Sequence, residues 1–142
     1  MKWRFVVVVI LFWPLQAAAV ELRHIHVVTG TKGLNHVPIT VSNTRAEALS
    51  CTIQLAHWYS MRLADTAPEG HSVIDLWFDP ATGTYVILNA GQDNMPVEAL
   101  WCGISGRAYQ TRADIALDRS KGAAPLARQI ACAGADDRLV CN

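Results

Sequence analysis

The chain has 142 residues, with twelve basic and twelve acidic side chains and 51% hydrophobic residues. This length suits one domain with its own core. The basic residues are scattered singly instead of clustered, which argues against nucleic acid as a partner.

The first nineteen residues have the pattern of an export signal. Two basic residues precede an apolar run over residues 5–15, and three alanines follow at residues 17–19. The run is shorter than the ~20 residues of a membrane span, and small residues before a cleavage point suit a signal peptidase. The sequence therefore predicts cleavage after Ala19. The mature chain, residues 20–142, is expected as a single domain in the periplasm or the medium, not embedded in a membrane.

The next segment, residues 22–29, is rich in β-branched residues and predicts a strand. His24 and His26 alternate along it, so their side chains would share one face and could hold a metal ion. Two ligands do not complete a site, and no spacing argument brings a third histidine to them. The sequence therefore assigns no metal and no other cofactor, and metal handling stays an alternative hypothesis.

Two strands with alternating apolar residues are predicted over residues 37–41 and 49–59. In the second strand Cys51, Ile53 and Leu55 would face the core together. Their polar neighbours would face solvent, as in a half-buried antiparallel strand.

Residues 57–62 combine aromatic, soft and basic side chains, a mixture that is typical of binding surfaces. The alternative interpretation is that this run continues the core strand, with Tyr59 buried and Trp58 half covered. Residues 64–70 are then predicted to form an exposed loop, which is the loop that an inhibitor of a hydrolase would present.

The clearest local signal is an antiparallel meander of three strands over residues 73–78, 84–89 and 95–104. The first connection contains Asp79 and Gly83, whose types suit a type I turn completed by a left-handed residue.

The predicted meander places Trp77 and Trp101 opposite its regular apolar residues, and Asp75 shares the face of Trp77. An exposed aromatic patch usually marks an interaction surface. We therefore expect a binding surface formed by Trp77, Trp101 and Asp75, with Trp58 as a neighbour.

The last third of the chain is expected to contain one more strand over residues 107–117, with Tyr109 and Ile115 on one face. Residues 126–131 are good helix formers after Pro125, and predict one or two helical turns.

Four cysteines, Cys51, Cys102, Cys132 and Cys141, follow the predicted cleavage site, and an even number in an oxidising compartment indicates two disulfides. Three pairings are possible. Strand alternation directs Cys51 and Cys102 into the same core, and Cys132 and Cys141 would close a short loop, so we favour these two pairs. No C-x-x-C motif supports a redox centre or a zinc site.

These elements predict a mostly β protein, a small disulfide-braced antiparallel β-sandwich with a small β-barrel as the alternative. A bridge across the core near a tryptophan is similar to the immunoglobulin architecture. The sequence contains no nucleophile beside a base, and an enzyme is not indicated. It favours a non-enzymatic module that binds a protein of the envelope or medium, with metal handling and hydrolase inhibition as alternatives.

Overall fold

The structure is a computed structural model that describes residues 26–142, in which nearly all regular secondary structure consists of β-strands. One 3₁₀ turn, Ala56–Trp58, interrupts them. The strands are β1 (Asn35–His36), β2 (Ile39–Asn43), β3 (Leu49–Leu55), β4 (Tyr59–Thr66), β5 (His71–Ile74), β6 (Trp77–Asp79), β7 (Thr84–Leu88), β8 (Asn94–Ile104), β9 (Ala113–Asp114), β10 (Arg128–Ala133) and β11 (Val140–Cys141).

These strands form two packed sheets, which confirms the predicted β-sandwich. The first sheet has the order β1-β6-β7-β8-β3-β4, with β9 also paired to β8, and the second has the order β11-β10-β2-β5. The predicted meander is present as β6, β7 and β8. The two sheets have open edges, so the small closed barrel considered as an alternative is not adopted. No helix in residues 26–142 has the length and apolar character to cross a membrane.

The core lies between the sheets and is built by alternate residues of the strands. In β2 the side chains of Ile39 and Val41 are fully buried, and Ile53 and Leu55 of β3 face them from the other sheet. Phe78 and Tyr85 are cross-strand partners on β6 and β7, with ring centroids 4.9 Å apart. This burial of one face of each strand supplies the main driving force for folding.

One long two-stranded ribbon passes from the first sheet to the second. His36 of β1 pairs with Trp77 of β6 in the first sheet, and Ile39 of β2 pairs with Ile74 of β5 in the second. Between these pairs the Val37 N–H donates to the Leu76 carbonyl at 2.8 Å, so the ladder continues through the change of sheet. The predicted strand over residues 73–78 is therefore two strands, one in each sheet.

Both favoured disulfide pairings are confirmed, Cys51–Cys102 and Cys132–Cys141. The expectation that the first bridge would cross the core is wrong. Cys51 and Cys102 lie opposite each other on the adjacent strands β3 and β8 of one sheet. The similarity to immunoglobulin domains that rested on a bridge across the core therefore fails, since that bridge joins two sheets. The two bridges pack against each other instead, with the sulfurs of Cys102, Cys132 and Cys141 within 4.8 Å.

Three predicted elements are wrong in their details. The strand over residues 49–59 ends at Leu55, and the chain reverses into β4, which also absorbs the first part of the loop predicted over residues 64–70. The helical turns predicted over residues 126–131 are instead the strand β10, parallel to β2.

In the segment over residues 107–117 only Ala113–Asp114 forms a strand, and Tyr109 is exposed. The predicted export signal and His24 lie outside the described residues. Of the strand predicted over residues 22–29, the described part, residues 26–29, contains only an isolated bridge between Thr29 and Asp93.

Candidate binding surface

The change of sheet in the ribbon positions a small polar and aromatic cluster. The imidazole of His36 stacks on Trp77 with 4.6 Å between ring centroids, because the two residues are opposite each other in the ladder. The Nε2 atom of His36 lies 3.1 Å from Oδ1 of Asp75, which precedes the buried Leu76. Asp75 and Trp77 therefore share one outward side of the ribbon, and His36 joins them.

This cluster borders a groove of about 570 Å³, which we call the β5 groove. The groove lies along β5 and reaches side chains of β4 and β7 in the first sheet. Its lining residues are His36, Leu63, Ser72, Val73, Ile74, Asp75, Trp77, Ile87 and Leu88.

The floor of the β5 groove is apolar and only partly covered. Leu63 and Ile87 pack against the core but keep part of their surface exposed, and so do Met61 and Met95 of the same sheet. All four side chains belong to the first sheet, which has more strands than the second. The second sheet therefore leaves part of the first sheet's inner face open beside β5.

Trp101, another member of the predicted surface, lies elsewhere on the first sheet. Trp77 aligns with Val86 and then with Pro96, whereas Trp101 is further along β8, roughly 17 Å from Pro96 at the rise of a β-strand. Its indole is half-buried beneath Arg112, whose guanidinium carbon is 5.1 Å from the ring centroid, and Tyr109 packs edge-on. Trp101 thus belongs to a separate cation–π cluster.

Trp58 is isolated from the other tryptophans, at the turn between β3 and β4. Its side chain is 94% exposed, and Tyr59 beside it is 57% exposed. The interpretation that Trp58 is half covered and Tyr59 buried is therefore wrong. His57 and Trp58 both have positive φ angles, 65° and 66°, so the chain reverses here without glycine.

A second polar cluster joins the turn after β2 to the loop before β11. Arg45, whose side chain is only 8% exposed, pairs with Glu47 and donates to the carbonyls of Gly134 and Asp136. Arg107 pairs with Glu47 at 3.0 Å and also with Asp137. The hydrogen bond from Arg45 lowers the pKa of the Glu47 carboxyl below its ordinary value, and Arg107 adds to this effect. This network holds two loops together and is structural.

The β5 groove has the chemistry of a binding surface. Asp75 is hydrogen-bonded to the imidazole of His36 and orients this ring. The hydroxyl group in the groove, that of Ser72, is hydrogen-bonded to the hydroxyl group of Thr66. The groove therefore offers an aromatic ring, a carboxylate and apolar side chains for contact with a partner. Tryptophan is among the residue types enriched at interaction hot spots.

Within residues 26–142 the one group of three potential metal ligands consists of Cys102, Cys132 and Cys141. All three sulfurs are in disulfides, so they supply no thiolate ligand. His26 is exposed, and the predicted partner His24 lies outside the described residues.

Sequence reasoning selected Asp75 and Trp77 but missed His36, Leu63 and Ile87. His36 precedes Asp75 by 39 residues, and no local pattern connects them. Ile87 reads as an ordinary core residue of an alternating strand, and only the extent of the second sheet reveals that it is partly uncovered.

No known protein family, curated protein or solved structure that was compared with the chain matches it.

Proposed function

We propose that the protein is an exported, non-enzymatic binding module that captures another protein of the cell envelope or the medium through the β5 groove. The observation that carries this proposal is the cluster of His36, Asp75 and Trp77 beside apolar side chains that the second sheet leaves partly uncovered. Aromatic side chains next to a partly open apolar floor provide the large contact area on which protein capture depends.

Export to the periplasm or medium is part of the proposal. It is supported by the two disulfides, which form and persist in oxidising compartments, and by the signal pattern of the first nineteen residues. Two bridges also suit a small domain that must stay folded outside the cell.

The test is affinity capture with the mature protein from envelope and medium fractions of the producing cell under non-reducing conditions, followed by mass spectrometry. Trp77→Ala removes the ring on which His36 stacks, and Trp101→Ala is the matched control, another half-buried tryptophan of the same sheet. We expect the wild-type protein to capture one partner in stoichiometric amount. Trp77→Ala should lower the affinity for this partner by at least about tenfold, as at hot spots, and Trp101→Ala should retain it. Capture that is equally strong with both variants would contradict the proposed surface.

A further inference from the structure

The strand β5 is one edge of the second sheet, and it is paired only with β2 among the described strands. Two hydrogen bonds just beyond the ends of β5 show which main-chain groups of β5 face β2. The Asn43 N–H donates to the Gly70 carbonyl at 2.8 Å, and the Val37 N–H donates to the Leu76 carbonyl at the same distance.

Hydrogen-bonded and non-hydrogen-bonded pairs alternate along an antiparallel ladder. Gly70 and Leu76 are both in hydrogen-bonded pairs, so every second residue between them is as well. Ser72 and Ile74 therefore belong to hydrogen-bonded pairs with β2. Val73, opposite Thr40, therefore belongs to a non-hydrogen-bonded pair, as does His71 opposite Ser42. Their N–H and C=O groups point away from β2, toward the free edge, where none of the described strands pairs with β5.

The side chains around this free edge define what an added strand would contact. Ile74 is buried, whereas Val73 is 55% exposed on the other face of β5. Alternate side chains of an added strand would then point toward Leu63 and Ile87 on the floor of the groove. The intervening side chains would lie beside Val73 and Asp75 on the outer face.

The charge at this edge indicates the chemistry of those outer side chains. The Asp75 carboxylate is 70% exposed, and its ion-pair partner among the described residues is a histidine. A lysine or arginine of an added strand could pair with the free side of this carboxylate. Apolar residues would occupy the alternate positions over the floor.

We propose that the partner binds as an extended segment added to the free edge of β5, with alternating apolar residues over Leu63 and Ile87 and a basic residue beside Asp75. This inference rests on the proposed function, because it specifies how a protein partner occupies the same groove. Main-chain hydrogen bonds would supply affinity and the groove side chains would supply selectivity.

The probe is a set of fluorescent heptapeptides in which valine alternates with threonine and the central threonine is replaced by lysine. Binding is measured by fluorescence anisotropy with the mature, disulfide-bonded protein. We expect a matched glutamate peptide to bind about two- to fivefold more weakly, as for an exposed charge pair, and Asp75→Asn to remove this difference.

The decisive variant is Val73→Pro, which removes an outward N–H that makes no bond to β2. Proline is tolerated on an edge strand when its nitrogen faces outward, so the fold is expected to persist. Val73→Pro is expected to bind the lysine peptide about tenfold more weakly, because it loses a main-chain hydrogen bond and keeps the peptide further from β5. Val73→Ala keeps the N–H and is expected to change the affinity for this peptide less than about threefold.

N-methylated peptides test the same point with the unchanged protein. Methylation of one alternate set of peptide nitrogens is expected to abolish binding, and methylation of the other set to leave it largely intact. Equal effects of both sets, or full affinity of Val73→Pro, would overturn strand addition.

The outcomes separate this inference from the proposed function. If the peptides do not bind while partner capture still depends on Trp77, strand addition is wrong and the binding module stands. If sedimentation velocity shows a dimer that Val73→Pro dissociates, the occupant is a second copy of the chain, and the partner segment proposed here is wrong.

Discussion

At the residue scale, Gly83 is a position where the backbone tolerates little change. It ends the β6–β7 turn with φ of 75°, and its N–H donates to the Asp79 carbonyl at 2.8 Å. A Cβ atom built here would lie 2.2 Å from the carbonyl oxygen of Arg119. Two costs therefore coincide at Gly83, a left-handed backbone and a main-chain clash.

We expect Gly83→Ala to lower the free energy of unfolding by about 2 kcal/mol or more, measured by urea denaturation. Gly106→Ala is the matched control, since Gly106 has φ of 85° but no atom within 4 Å of an added Cβ. The control should cost only the left-handed strain, about 1 kcal/mol. Equal losses in the two variants would show that Arg119 moves away without cost.

The residue types predicted the β6–β7 turn correctly but did not predict the turn between β3 and β4. Asp79 accepts from the Ala81 N–H and the Thr82 hydroxyl, which is the turn chemistry that its residue type predicts. The turn at His57 and Trp58 uses two non-glycine residues with positive φ. Trp58 and Tyr59 are of types that favour strands, so local propensity predicted an uninterrupted strand.

At the element scale, β10 shows how a distant partner overrides local propensity. Residues 126–131 are good helix formers, yet Arg128 to Cys132 pair in parallel with Ile39 to Asn43, far earlier in the chain. Ile130 and Cys132 are buried while Gln129 and Ala131 are exposed, a strand alternation that is too short to be decisive in the sequence alone. Alternation did identify the longer strands, which is why the sandwich could be predicted.

The two disulfides differ in the length of chain that they close, so their removal should have unequal effects. Cys51 and Cys102 are 51 residues apart, and Cys132 and Cys141 are nine apart. Loop-closure entropy predicts a loss of about 4 kcal/mol for the Cys51→Ala, Cys102→Ala pair and about 2.5 kcal/mol for the Cys132→Ala, Cys141→Ala pair. Urea denaturation of the two double variants measures both losses.

A variant without any cysteine provides the control for packing. The two bridges contact each other in the core. The decrease in the free energy of unfolding of the cysteine-free variant is therefore expected to differ from the sum of the decreases in the two double variants. A larger loss for the bridge over nine residues would contradict the loop-entropy argument and assign the effect to the strand β11, which has only two residues.

At the scale of the whole molecule, the candidate site depends on the ribbon that changes sheets. Residue types alone selected Asp75 and Trp77, because alternation placed both on one face. The contribution of His36 follows from a ladder between segments about forty residues apart, and the open floor follows from the unequal widths of the sheets. Neither property has a local sequence signal, so the surface could be predicted only in part.

The network of Arg45, Glu47, Arg107 and Asp137 also acts across the whole molecule, since it ties the turn after β2 to the C-terminal loop. The pKa of Glu47 is lowered in the folded state, chiefly by the hydrogen bond from Arg45. A carboxyl with a lowered folded-state pKa stabilises the fold above its unfolded-state pKa of about 4.3, and this stabilisation is lost as the pH falls through the lower folded-state value.

We therefore expect the free energy of unfolding to decline with falling pH below about 4.3, and Glu47→Gln to flatten this decline. Urea denaturation between neutral and acidic pH measures it. Glu69→Gln is the control, because Glu69 is exposed and makes no ion pair within residues 26–142. An unchanged pH dependence in Glu47→Gln would mean that other carboxyls, such as Asp65 with its pKa lowered by Arg62, dominate acid unfolding. Because Glu47→Gln leaves the buried guanidinium of Arg45 without its carboxylate partner, this variant should also be less stable than Glu69→Gln at neutral pH.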